Sequence, residues 1–378
     1  MTIGMTTFGG DGGKSGISQY IINLLRQFSL GDGSDQFEVM VYRNEQDLFI
    51  PNSDRLRPLC FGSGIRRPLV NLAWHQVMLP TLCEKRHYDV LFLPAANRRV
   101  PLFAPCPTIG TVHDFSSIHV PGKYDPARML YITKVLPFLV RRLTQVITVS
   151  ESSKRDILDY AKVPEDRVTV IPLAADTECY YPQDPVAAHA QIGPKYGIDR
   201  PYLLYLSRIE HPGKNHVRLI NAFGLLKGRT GLPHQLVLAG SDWGRAEEVH
   251  LAAHQSAFAH DIVFTGFVAT SDIPFLYNGA DAFIFPSLYE GFGLPILEAM
   301  SCGLPVACSN VSSLPEVAGD AGILFDPYDE EAICDALFQL LTDDAARANN
   351  ARLGLERSHQ FGWDITARRT LEIIHKLR

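Results

Sequence analysis

The sequence predicts an α/β protein made of two Rossmann-like parallel-sheet domains facing each other across a cleft. Three observations predict it. The chain has 378 residues, more than one compact core usually organises, so two domains are expected. Short continuous apolar runs alternate with segments of helical period, the pattern of a parallel sheet covered on both faces. The alternation breaks once, over residues 174–200, which are rich in Pro, Asp and Ala, and then restarts. The expected division is 1–173, a linker 174–200, 201–360, and a terminal segment 361–378.

In the first half, Thr2–Thr7 reads as a short buried strand. Asp11–Ser15 is a loop, and Ile17–Phe28 places Ile17, Tyr20, Ile21, Leu24, Leu25 and Phe28 at helical spacing. Phe37–Tyr42, Tyr88–Leu93, Thr108–Val112 and Val146–Val149 read as further strands. A long amphipathic helix is expected over Pro126–Leu143. Another is expected over Glu151–Tyr160, with Ser150 as its N-cap.

The second half restarts with strand Tyr202–Leu206 and helix Asn215–Leu226. Strands Gln235–Ala239, Ile262–Thr265, Ala282–Phe285, Val306–Cys308 and Gly322–Phe325 follow. Helices are expected at Arg245–Ala257, Asp272–Asn278 and Leu294–Cys302. Three more close the chain: Glu330–Leu341, Asp344–His359 and Trp363–Leu377. Ligands of such sheets bind at the carboxyl ends of the strands.

Composition narrows the function. No run of about 18 apolar residues exists to span a membrane, and Met1–Thr7 reads directly as a strand rather than a leader. The seven cysteines are scattered, with no C-x-x-C, which points to a reducing cytoplasm and away from a zinc site. Residues 1–173 carry 20 Lys/Arg and 16 Asp/Glu, a balance of +4, and residues 174–378 carry 15 and 25, a balance of −10, summing to −6. The charge excess is compatible with one half meeting an anionic surface or substrate. No basic clustering suggests nucleic acid.

The most informative stretch is Ser287–Met300, a glycine-rich turn between a buried strand and a helix with Pro295 in its first turn. Such a turn offers backbone N–H groups and the positive end of a helix dipole. Glu290 lies in the turn and Glu298 about one helical turn inside. Two acids flanking an N–H-lined turn suit a ligand with anionic groups and hydroxyls, as in a sugar nucleotide; a capped surface helix is the alternative.

The loop Phe8–Gly16 joins the first strand to the first helix. It fails the NTPase phosphate loop, because Phe8 stands where the first glycine is needed, and it fails G-x-G-x-x-G at Ser15. A less specific phosphate- or sugar-approaching loop, or a flexible turn, remains. His113-Asp114 ends an apolar strand. His113 can meet a substrate hydroxyl or be satisfied by a backbone group, and Asp114 can brace the next loop. Arg208 and Lys214 flank a Pro-Gly turn after the first strand of the second half, where two cations can stabilise a departing diphosphate. No Asp-x-Asp occurs, so no metal is expected at a diphosphate. The helix over 126–143 can rest on anionic lipid, though packing on its sheet with a solvated basic face is favoured.

Taken together, these residues resemble the retaining glycosyltransferases of family 4, which have the GT-B fold. The resemblance covers nearly the whole chain. It rests on the glycine-rich first loop, His113-Asp114, Ile147–Ser153, Arg208 with Lys214, Val170–Asp176, and the E-x7-E pair Glu290/Glu298 around Gly291-Phe292-Gly293-Leu294-Pro295. The resemblance implies that Glu298 holds the ribose hydroxyls. It implies that Glu290 and the backbone of Phe292, Gly293 and Leu294 hold the donor sugar. Arg208 and Lys214 would bind the diphosphate, and His113 would lie at the acceptor side. Gly16 and its neighbours, Gly13 among them, would close over the phosphates, and the last helix would return to the first domain. An inserted-looking Lys14-Ser15 departs from the family loop.

The implied activity is hexosyl transfer, with retention, from a nucleotide-diphosphate sugar to a saccharide or lipid-linked saccharide in polysaccharide assembly. UDP-glucose is the expected donor on family frequency, with GDP-mannose the alternative. A non-catalytic sugar-nucleotide binder is a further alternative. The expected location is the cytoplasm, at the inner face of the membrane if the protein associates peripherally. No cofactor beyond the donor is expected.

Overall fold

A computed structural model describes residues 1–378 except 14, 121 and 123–125, and residue 127 in its backbone alone. The chain divides into two compact units. The first comprises Met1–Ile118, Tyr124–Leu173 and Gly362–Arg378, and the second comprises His119–Lys123 and Ala174–Phe361.

In the first unit, strands β1 (Thr2–Thr6), β2 (Gln36–Tyr42), β3 (Leu56–Phe61), β4 (Val90–Leu93), β5 (Thr108–Val112), β6 (Gln145–Thr148) and β7 (Val168–Val170) form one sheet. Its order is β3-β2-β1-β4-β5-β6-β7, and every pairing is parallel. The second unit has β8 (Tyr202–Leu206), β9 (Gln235–Ala239), β10 (Ile262–Gly266), β11 (Ala282–Phe285), β12 (Val306–Ser309) and β13 (Gly322–Phe325). These are ordered β10-β9-β8-β11-β12-β13, again all parallel. The central strands β4, β5 and β11 are buried along their whole length, which is why they read as continuous apolar runs. Strand order reverses between β1 and β4 in one sheet and between β8 and β11 in the other, so the loops leaving those strands define each sheet's natural binding crevice.

Three segments differ from expectation. The helix expected over 126–143 is two short helices, Pro126–Leu130 and Leu136–Val140, joined by a wide π-type stretch, Tyr131–Val135. Pro137 has no N–H to bond a carbonyl four residues back, so a regular helix cannot run through it. The helix after Ser150 likewise changes at Ile157 to a π-type stretch ending at Ala161. Ser150 does cap it, accepting the Ser153 N–H at 3.0 Å.

The segment 174–200 is not a featureless linker. It holds the helix Pro185–Tyr196, capped by Asp184 and ended by Gly197 at φ 72°. Asn278 ties its approach to the second unit: its Oδ1 accepts the Gln183 N–H at 2.7 Å and its Nδ2 donates to the Tyr181 carbonyl at 3.1 Å. The strands β3 and β7 had no sequence counterpart, nor did the helix Pro68–Arg86 or the short helices Gln46–Phe49, Ser116–His119 and Leu314–Ala318.

The last helix, Trp363–His375, belongs to the first unit. Thr366 Oγ1 donates to the Pro172 carbonyl at 2.7 Å, and Arg369 donates to the Val170 carbonyl at 2.9 Å. His375 Nε2 lies 2.7 Å from Asp35. No helix among the described residues is long and apolar enough to cross a membrane.

Candidate active site

A network of polar contacts in the second unit lies where β8 and β11 end. Tyr205, buried in β8, donates its hydroxyl to the Lys214 carbonyl at 2.8 Å and sits 3.2 Å from Ser287 Oγ. Asn215 follows Lys214 with φ 60°, a left-handed conformation that Asn tolerates better than most side chains. Its buried amide donates to the carbonyls of Pro286 at 3.1 Å and Pro327 at 2.7 Å. The Leu288 N–H closes the junction on the Gly213 carbonyl at 3.0 Å. The loop bearing Lys214 is thereby fixed to the loops that follow β11 and β13.

That junction brings the expected pair together. Lys214 Nζ lies 2.5 Å from Glu290 Oε1, with both side chains mostly buried. Arg208 is exposed, stacks on the Trp243 ring at 4.9 Å, and approaches the buried Glu210 carboxylate at 3.4 Å. Its planar guanidinium is thus held at the exit of β8 from two sides.

The turn after Glu290 is clamped from its far side. Ser313, fully buried, holds the carbonyls of Glu290 and Phe292 at 3.0 and 2.7 Å, and Ser312 Oγ accepts the Glu290 N–H at 3.1 Å. Gly293 then takes φ 114°, a region that L side chains rarely adopt; a Cβ there would stand 2.9 Å from Leu314 Cδ2. The helix Leu294–Ser301 starts directly after it with no side-chain cap. Its first-turn dipole is left to face whatever binds.

Glu298 sits inside that helix in different surroundings. Tyr277 donates its hydroxyl to Glu298 Oε2 at 2.9 Å. Burial pushes the carboxyl pKa up to about 7, while hydrogen bonds from Tyr277 and Tyr180 pull it back. The two acids of the E-x7-E pair therefore differ, with Glu290 paired to a cation and Glu298 held by phenols.

In the first unit the loop after β1 is built otherwise. Asp11 Oδ1 accepts the Ser15 N–H at 2.9 Å and the Ser18 hydroxyl at 2.8 Å. Gly12 and Gly13 take φ 72° and 89°, and the Gly13 carbonyl is held by Gln19 at 2.9 Å. Gly16 is the first residue of the helix Gly16–Leu30. The expected phosphate-approaching loop thus meets its own helix with a carboxylate, which opposes a second anion there. Lys14, part of the inserted-looking pair, lies outside the described residues.

His113 is buried, with Nε2 2.8 Å from the Pro94 carbonyl. Burial lowers its pKa, so the ring is neutral and Nε2–H is the donor. The Tyr20 ring meets it edge-on at 4.9 Å. Asp114 accepts the Ser116 N–H at 2.9 Å and braces the following turn. Of the two readings open for this pair, the backbone-satisfied one is what the geometry displays.

Sequence reasoning missed Tyr205, Asn215, Tyr277, Ser312 and Ser313. The only local signal was Asn215, an αL-tolerant residue between a Pro-Gly turn and a helix; the other contacts join residues 9–82 positions apart. For metals, the one group of suitable ligands among the described residues is Glu331, Cys334 and Asp335. Arg229 already donates to Asp335 at 2.9 Å and contacts Glu331 and Cys334.

Residues 191–354 match the family described as Glycosyl transferases group 1, and residues 14–179 match Glycosyltransferase Family 4. O-antigen chain mannosyltransferase B of Escherichia coli is 37% identical over 264 residues, covering 70% of this chain and 68% of that protein. The chain belongs to the group 1 glycosyltransferases. Serotype-specific mannosyltransferase WbdA of Escherichia coli is 33% identical over 285 residues, and the match spans only 34% of that longer protein.

Among solved structures, sucrose-phosphate synthase from Thermosynechococcus elongatus aligns over 100% of this chain and 99% of its own, at TM-score 0.79 and 21% identity. HepE of Anabaena, in complex with UDP and glucose, aligns over 100% of both chains at TM-score 0.78 and 19% identity. At these identities the likeness establishes the GT-B fold of this glycosyltransferase. The two Escherichia coli relatives are both named mannosyltransferases.

Proposed function

We propose that this glycosyltransferase transfers mannose from GDP-mannose to a saccharide acceptor during assembly of a surface polysaccharide. The observation that carries the donor is the 37% identity to an O-antigen chain mannosyltransferase. A GDP-mannose-dependent mannosyltransferase of Mycobacterium tuberculosis, 29% identical over 242 residues, agrees with it. The observation that supports the chemistry is the Lys214–Glu290 pair beside the uncapped start of the helix Leu294–Ser301.

In this proposal, Arg208, Lys214 and that helix start hold the diphosphate, Glu290 and the Phe292–Leu294 backbone hold the sugar, and Glu298 takes the ribose. The anomeric C1–O bond to the diphosphate breaks as a C1–O bond to the acceptor hydroxyl forms on the same face. A phosphate oxygen takes the acceptor proton, so configuration is retained and no covalent enzyme intermediate forms. Charge grows on the departing diphosphate, and fixed cations and backbone dipoles stabilise it without reorganising. His113 takes no proton at Nε2, which already donates to Pro94. No metal takes part.

The test is donor turnover by the purified protein with GDP-mannose, UDP-glucose and UDP-galactose compared side by side. Release of GDP from GDP-mannose at least tenfold faster than UDP from either other donor is expected. Preference for a UDP-sugar would overturn the donor assignment. Full GDP-mannose turnover abolished by EDTA and restored by Mg²⁺ would overturn the metal-free mechanism.

A further inference from the structure

The loops that leave β8 and β9 do not part where the strands end. The Ser207 N–H donates to the Ala239 carbonyl at 2.9 Å, the Ile209 N–H to the Ser241 carbonyl at 3.0 Å, and the His211 N–H to the Gly244 carbonyl at 3.1 Å. The Trp243 N–H returns to the Ile209 carbonyl at 2.9 Å. The parallel ladder thus runs on past both strands, with Ile209 paired to Asp242. Gly240 permits the close approach: it takes φ 148°, and a Cβ there would stand 2.0 Å from the Ser207 carbonyl oxygen. His216, the first residue of the helix His216–Thr230, ties the ribbon to the body of the unit. Its buried ring has Nδ1 3.3 Å from the Glu210 carbonyl and Nε2 3.3 Å from Ser207 Oγ. Burial lowers its pKa to about 3, so the ring is neutral. The backbone on both sides of Arg208 is therefore fixed.

The ribbon presents an aromatic face beside that arginine. Trp243 is 56% exposed, whereas the other two tryptophans, Trp74 and Trp363, are buried in the first unit. The Arg208 guanidinium lies over the Trp243 ring, 4.9 Å from its centroid. An indole face attracts a guanidinium and lets it pack flat. The Glu210 carboxylate approaches the same guanidinium at 3.4 Å. A long, solvent-exposed arginine loses much rotamer freedom when a ligand fixes it. One already laid on a ring has less to lose.

We propose that Trp243 is a positioning residue for Arg208, its indole face holding the guanidinium ready to meet the diphosphate. Filling a core does not account for a ring this exposed. The inference rests on the assignment of Arg208 to the diphosphate made above, and adds the residue that sets Arg208 in place. Trp243 touches no reacting atom in this account, so its removal acts only through Arg208.

The test is a double-mutant cycle on the release of GDP from GDP-mannose, joined to tryptophan emission. Trp243→Ala should lower kcat about fivefold, in the range of a partly exposed cation–π contact, with KM within threefold. Trp243→Phe keeps a ring face and should stay within twofold of wild type. In the Arg208→Ala background, Trp243→Ala should change kcat by less than twofold, because groups that act as a unit are not additive. Saturating GDP should alter the emission of wild type and leave that of Trp243→Phe and Arg208→Ala unchanged. Wild-type kcat in Trp243→Ala, no rescue by Trp243→Phe, a fivefold loss repeated in the Arg208→Ala background, or an emission change that survives Arg208→Ala would overturn the proposal. Wild-type kcat in Arg208→Ala would instead overturn the diphosphate reading, and this proposal with it. A crippled Arg208→Ala with an additive cycle strikes the role of Trp243 alone.

Discussion

The loop after β1 and the turn after β11 each leave a strand at the reversal point of a parallel sheet, and each feeds a helix. At the first, Asp11 turns its carboxylate onto the Ser15 N–H and the Ser18 hydroxyl, so the helix start is answered from within. At the second, Gly293 leads into Leu294 with no side-chain cap, and Lys214 stands nearby in an ion pair with Glu290. One kind of junction therefore yields one helix start capped by Ser15 and braced by Asp11, and one left without a side-chain cap. The sheet order fixes where a ligand can sit; the side chains at the strand ends decide whether that ligand carries negative charge.

The largest expected effect separates the two ends directly. Lys214→Ala should lower kcat by about 10² to 10³, the usual cost of removing one group that stabilises a leaving charge. Single-turnover kinetics with GDP-mannose would measure it, and a loss below fivefold would return the two ends to equal standing.

Asn215→Asp comes next. It removes both amide donations to Pro286 and Pro327 and places a carboxylate beside Lys214. Each stranded carbonyl costs about 1–3 kcal/mol. A kcat loss with a lowered melting temperature is expected, and a variant with wild-type kcat would show that the junction does not position Lys214.

Glu298→Gln tests the inner acid by pH. Burial holds the native carboxyl at about 7, against an ordinary 4.5. The folded state therefore binds this proton more tightly than the unfolded chain, and that stabilisation is lost as pH rises through 7. The always-neutral Gln should be more stable than wild type at pH 8 by on the order of 1–2 kcal/mol, with the advantage shrinking by pH 5. Thermal melts at both values decide it; an advantage that does not change with pH would place Glu298 in a solvated site.

Asp11→Ala should have the smallest effect on donor handling. It removes the carboxylate that braces the N-cap residue Ser15 and the Ser18 hydroxyl, costing about 1 kcal/mol of stability, and should leave the donor KM within threefold. A tenfold change would show that the first loop, too, handles the nucleotide.

Much of the fold was legible because buried parallel strands such as Ala282–Phe285 read as uninterrupted apolar runs. The E-x7-E pair and Lys214 were legible as types at fixed spacing. What was not legible has physical causes. β3 carries Pro58, which an edge strand tolerates but which argues against a strand in the sequence. The helix Pro68–Arg86 is apolar on both faces and contains Pro80, so it shows no amphipathic period. The helix over 126–143 was overextended because apolar spacing survives a π-type stretch. Asp184, Pro185 and Gly197 are the cap, first turn and end of a helix, yet their composition mimics a linker. The Ser312-Ser313 clamp was invisible because it acts over more than twenty residues on backbone carbonyls.

The central claim is that the diphosphate is held where β8 and β11 end. Calorimetric titration of GDP into wild type, Lys214→Ala and Asp11→Ala tests it most directly. Affinity should fall at least thirtyfold in Lys214→Ala and stay within threefold in Asp11→Ala. Equal affinity in wild type and Lys214→Ala, with loss in Asp11→Ala, would contradict it and move the nucleotide to the glycine-rich loop of the first unit.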